Sequence, residues 1–176
     1  MDRAPISSSL CLVSALLGGG LLLGTQSAAI RPLQAQVNQE GIMQHAKGRF
    51  DVTVAPQKPD NAPAEAAKIS RMSIDKQFHG DLEGTSKGEM LAAMSDIKGS
   101  AGYVAMERVT GKLSGRTGSF VLQHHATMNR GVPALSVTVV PDSGTGELTG
   151  ITGSMNINVT EGRHSYEFDY TLPAHP

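Results

Sequence analysis

Tryptophan is absent from this chain of 176 residues, and aromatic side chains make up only 4% of it, three tyrosines and four phenylalanines. Cysteine occurs once, at Cys11, inside an N-terminal apolar run. If that run is removed, no disulfide can staple the folded domain and cysteine chemistry is excluded from it. Core packing must hold the domain together alone. Charge of one sign is lacking too: 15 basic residues stand against 16 acidic ones, for a formal net charge of −1. With no basic run, the electrostatic footprint of a nucleic-acid binder is missing. The one long apolar stretch, 10–23, falls short of the roughly 20 residues that a spanning helix needs, so stable membrane insertion after processing is not expected.

The same stretch has the layout of a secretory signal. Arg3 supplies a basic start, blunted by Asp2, and small residues follow the apolar run. Ser27-Ala28-Ala29 is the best small-x-small site and Leu33-Gln34-Ala35 the second, so cleavage is expected after Ala29 or Ala35. Residues 1–35 therefore read as a signal peptide and the protein as secreted or periplasmic. Residues 36–42 read as a flexible lead-in, 43–173 as a single domain and 174–176 as a tail. Homo-oligomerisation is left open.

What the mature chain does have is alternation. In Ser165-Tyr166-Glu167-Phe168-Asp169-Tyr170-Thr171-Leu172 the rings and Leu172 share one face and the polar side chains the other, which is a half-buried strand. Similar strips are expected near 44–54, 68–78, 82–93, 101–113, 119–129, 134–140 and 155–160, separated by Gly- and Pro-rich turns. Met90-Leu91-Ala92-Ala93-Met94 could instead form a helical turn, and the Gly-rich run 144–153 reads as a tight hairpin with bulges. Eight strands at hairpin spacing predict an all-β fold, an eight-stranded antiparallel up-and-down barrel, with a sandwich as the alternative. An eight-stranded barrel fills its interior with side chains or holds one small ligand. Inward parity is expected for Phe120, Leu122, Met128, Leu135, Val137, Val139, Met155, Ile157, Val159, Tyr166, Phe168 and Tyr170.

Several runs resemble a known family. They are Arg71-Met72-Ser73-Ile74-Asp75-Lys76-Gln77-Phe78-His79-Gly80-Asp81-Leu82-Glu83, then Gly102-Tyr103-Val104-Ala105-Met106-Glu107-Arg108-Val109-Thr110-Gly111. Gly118-Ser119-Phe120-Val121-Leu122-Gln123-His124, Val140-Pro141-Asp142-Ser143-Gly144-Thr145-Gly146-Glu147-Leu148 and Phe168-Asp169-Tyr170 complete the set. Together they resemble the bacterial domain of unknown function 3224 family over roughly 43–172. That resemblance implies an allene oxide cyclase-like (calycin-like) barrel and no established activity. No residue-by-residue match to a catalytic set of allene oxide cyclases or dirigent proteins is readable, and fold does not fix function.

The chemistry then depends on which way the fourth strip faces. With Tyr103, Ala105, Glu107 and Val109 inward, one carboxylate enters the barrel, and Lys76 and His124 lie on inward faces of their own strips. An apolar pocket holding Glu107 with Lys76 or His124 is what an isomerase or cyclase would need. The plainer alternative is a self-satisfied internal Lys76–Glu107 pair. With the opposite parity, Met106 and Arg108 would be internal, and Arg108 would suit an anionic head group. The candidate catalytic residues are Glu107, Lys76 and His124; Tyr103, Phe120, Leu122, Tyr166, Phe168 and Tyr170 are candidate ligand contacts. No cofactor is expected. No metal site is expected either, because His124 and His125 point to opposite faces of a strand. Three functions remain open: binding of a small apolar molecule, with or without an anionic head; an isomerase or cyclase with Glu107 as the acid–base group; or a structural, partner-binding module.

Overall fold

The computed structural model describes residues 41–58, 61–67 and 69–173. The expected signal peptide and its two cleavage sites, most of the lead-in and the tail lie outside the described residues. Among the described residues nine strands and one short helix follow in chain order: β1 (Gln44–Gln57), α1 (Ala62–Ala66), β2 (Ser70–Gly80), β3 (Leu82–Met94), β4 (Ala101–Leu113), β5 (Arg116–Asn129), β6 (Val132–Val139), β7 (Thr145–Gly146), β8 (Thr152–Thr160) and β9 (Arg163–Thr171). All pair antiparallel in the order β4-β3-β2-β1-β9-β8-β6-β5-β7. The further β4–β5 ladder closes eight long strands into a barrel, as the alternation predicts. Met90–Met94 is strand rather than helix, because its residues stay in register with β4 as far as Met94 opposite Ala101. The connection after β1 carries α1, a single helical turn.

Local sequence sets the closure. Ser114-Gly115, Arg130-Gly131 and Glu161-Gly162 each form a two-residue turn with positive φ at both positions. Such turns twist in the same sense as the flanking strands, and glycine at the second position takes that conformation without a steric penalty.

The 140–151 segment departs from the expected hairpin. Its two-residue β7 pairs with β5 at Gly118 and Ser119, and the turns beyond it drive Leu148 and Ile151 into the barrel end, both essentially unexposed. β6 is consequently short. It meets β8 at a single ladder position, Thr138 opposite Ser154, although it pairs with β5 along its whole length. The barrel wall has one weak seam.

The lumen is divided along its axis. Towards the hairpins at Gly80, Gly115 and the 140–151 segment it is solid. Phe120 stacks on Phe168 at 5.6 Å between centroids and Phe168 on Tyr170 at 5.2 Å, with Leu82, Leu113, Leu148 and Leu172 sealing the end. The buried phenols are satisfied: Tyr166 accepts from the Leu82 N–H at 2.9 Å, and Tyr170 bonds Ser114 Oγ at 3.0 Å. Gly48 makes room for Tyr166, since a Cβ there would come within 2.6 Å of the phenol oxygen. Among the described residues no helix is long and apolar enough to cross a membrane.

Candidate functional site

Inward parity on β4 belongs to the odd residues. Glu107 is 1% exposed, and Ala105 and Val109 are buried beside it, whereas Val104, Met106 and Arg108 face out. Three strands deliver partners to the carboxylate. Lys76 on β2 approaches Oε1 at 2.7 Å, His124 Nε2 on β5 reaches the same oxygen at 2.9 Å, and Ser86 on β3 donates to Oε2 at 2.6 Å. Register explains the convergence. Lys76 is opposite Ser86, Gly88 is opposite Glu107, and His124 is one diagonal step away beside Ala105. All four polar side chains are buried.

Burial is the largest single influence on Glu107 and would push its pKa up. The His124 hydrogen bond, the Lys76 charge and the donors from Lys76 and Ser86 together outweigh it and hold the carboxyl at about 2. Lys76 also lies 4.7 Å above the Phe50 ring centroid, a contact that favours a desolvated cation. The cluster forms the floor between the packed end and the open end.

Above that floor is a cup of about 540 Å³, open at the end from which Tyr103, Pro133, Val159 and His164 look inward. Its wall is mostly apolar: Phe50, Val52, Val54, Ile74, Leu135 and Ile157. The polar groups reaching it are Lys76, Tyr103, His124 and His164; Glu107 lies behind them and does not line it. Burial pushes the Tyr103 phenol up, with the Glu107 charge adding to the effect, so it remains a neutral hydroxyl. The His164 ring packs tilted against Phe50, with centroids 5.1 Å apart. A smaller cavity of about 220 Å³ lies at the β6–β8 seam and shares Leu135 and Ile157 with the cup.

The structure therefore brings Glu107, Lys76 and His124 together. Of the six candidate ligand contacts, Tyr103 lines the cup. Phe120, Leu122, Tyr166, Phe168 and Tyr170 are packed in the hydrophobic core and do not line it. The wall residues Val52, Val54 and Ile74, and Ser86 under the floor, were not singled out from the sequence as site residues. Their inward parity on β1, β2 and β3 was the available signal. Among the described residues no group of three or more His, Cys, Asp or Glu side chains is placed to hold a metal ion.

Fold and site together define a closed antiparallel barrel with a half-open, apolar lumen above an internal ion pair. The chain belongs to the family described as protein of unknown function (DUF3224), whose family model matches residues 46–170. It is similar to the crystal structure of a protein with unknown function from that family from Shewanella oneidensis MR-1. The two are 50% identical, with a TM-score of 0.69, over 76% of this chain and 100% of the other. A search of curated proteins finds no match.

Proposed function

We propose that this protein is exported and binds a small, largely apolar molecule in the open half of its barrel, without turning it over. One observation carries the binding reading: a cup of about 540 Å³ with an apolar wall and a few polar groups converging on its floor, the usual form of a small-molecule site. The N-terminal apolar run with small residues after it supports export. Glu107 fits a structural role better than an acid–base one, because its carboxylate already has three partners and lies behind the cup wall. The floor would then position the polar end of a guest whose apolar body lies against β1, β2, β6 and β8.

Two measurements test this. Native mass spectrometry of the gently purified full chain should reveal a co-purifying apolar compound, or the protein should bind a neutral apolar dye with one-to-one stoichiometry. Val52→Trp, which fills the cup from a well-paired strand, should abolish dye binding while the circular dichroism spectrum stays unchanged. A folded protein that carries no compound and takes up no dye would overturn the proposal.

A further inference from the structure

The polar end of the guest can be narrowed from the hydrogen-bond inventory of the floor. Glu107 is an ionised carboxylate and accepts only, so the His124 Nε2 that touches it must carry the proton. In the neutral imidazole this fixes the tautomer, and Nδ1 becomes a bare acceptor. His124 is 4% exposed, and Nδ1 has no protein partner among the described residues. No buried side-chain nitrogen or oxygen there is left unsatisfied, so this atom must reach accessible space, and the space that His124 lines is the cup.

One diagonal step away on the same inner face, opposite Ala126, stands Tyr103. Its hydroxyl also has no partner among the described residues, and it also lines the cup. The cation beside them is already committed. Lys76 is bonded to Glu107 and rests on Phe50, so its charge is matched within the floor. His164, the remaining ionisable group of the wall, is engaged against Phe50, with the two rings tilted and their centroids 5.1 Å apart.

We propose that the cup selects an uncharged, hydroxyl-ended apolar molecule: its O–H donates to His124 Nδ1 and its oxygen accepts from the Tyr103 hydroxyl. This rests on the binding reading above and adds the class of guest. A carboxylate end meets the opposite terms. It has no proton for Nδ1, it faces that lone pair directly, and the cation that lines the cup, Lys76, is already paired with Glu107, so the desolvated charge finds no free counter-ion there.

The test is displacement of a neutral apolar dye from the full chain at about pH 8, where an ordinary imidazole is neutral. The competitors are 1-octanol and octanoate, equal in chain length. Octanol should displace the dye at least about tenfold more tightly than octanoate, a difference of about 1.4 kcal/mol. His124→Phe should bring octanol down to the octanoate level. Glu107→Gln, which removes the internal anion and frees Lys76, should improve octanoate by about tenfold. Dye binding with octanoate equal to or tighter than octanol in the unmodified protein overturns this inference and leaves the cup-binding reading intact. Failure of the folded protein to bind dye or octanol overturns both. The comparison in the unmodified protein decides the matter even if neither variant folds.

Discussion

Gly88 lies directly opposite Glu107 in the β3–β4 ladder, and a Cβ on Gly88 would stand 2.6 Å from the Glu107 Cβ and 2.2 Å from the Met106 carbonyl oxygen. Both contacts are far inside van der Waals distance, and the oxygen is backbone, which cannot swing away. The missing side chain thus lets β4 press close enough to deliver Glu107 to Lys76 and Ser86.

Gly88→Ala should therefore destabilise the barrel by about 1–3 kcal/mol, the usual cost of forcing extra volume into a packed interior. Gly102→Ala is the control. A Cβ there meets only the Ala126 carbonyl oxygen at 3.6 Å, and the change should stay within about 0.5 kcal/mol. Denaturant midpoints of the two variants check this; equal midpoints would refute the crowding argument.

Glu107 should keep its charge to lower pH than an ordinary carboxylate does. The folded-state pKa of Glu107 is lowered from 4.5 to about 2. The stability it contributes is therefore complete above about pH 4.5 and is lost as the pH falls from there towards 2. The loss should be on the order of 3 kcal/mol. Unfolding free energies measured across that range should show a slope that Glu107→Gln flattens.

The Lys76–Glu107 pair should behave as a unit. Lys76→Met leaves a buried carboxylate without its cation and should cost about 3–5 kcal/mol. Lys76→Met/Glu107→Gln removes both charges and should be more stable than Lys76→Met alone, giving a coupling of at least about 1 kcal/mol. Additive single and double variants would mean that the two charges do not depend on one another.

These residues also show how far the sequence could be read. Alternation in 165–172 located β9 and its inner face, and Gly- and Pro-rich turns separated the other strips. The β4 parity was ambiguous for a physical reason: Val104 and Met106 are apolar yet face outward, while Glu107 is charged yet faces in because three donors meet it. Neither position obeys the simple rule that apolar side chains go inside. Depth was not legible at all. Phe168 and His164 share a face of β9, but one is packed in the plug and the other lines the cup. Parity reports inside or outside; height along the barrel depends on the stagger between strands. Leu135 and Val159 point inward as expected and are nonetheless 42% and 61% exposed, because the lumen is open where they stand.

The β6–β8 seam should be the first part of the wall to breathe. With a single ladder pair at Thr138 and Ser154, residues 132–136 and 156–160 have no strand partner across the seam. Pro133, which has no N–H to offer, sits on that edge. Amide hydrogen exchange should be much faster for seam-facing amides of these two stretches than for the centres of β3, β4 and β5. Equal protection would mean that the seam is closed in solution.

Phe168→Ala should separate the two halves of the lumen. Phe168 is unexposed and stacked between Phe120 and Tyr170, so its truncation should cost about 3–5 kcal/mol. Dye affinity of the remaining folded protein should not change, because no wall of the cup is altered. A large loss of affinity at full folding would contradict the division.

The ionic floor also has a consequence for how such a barrel can diversify. Since the foundation is locked by stacked rings and sealed by a salt-bridged storey above it, the upper walls are largely relieved of supporting the architecture. Substitutions at Val54, Leu135 or Val159, which line the cup and are substantially exposed, can reshape what the vessel accepts without undermining its base. One scaffold could thus be retailored to many guests by changing only its upper lining.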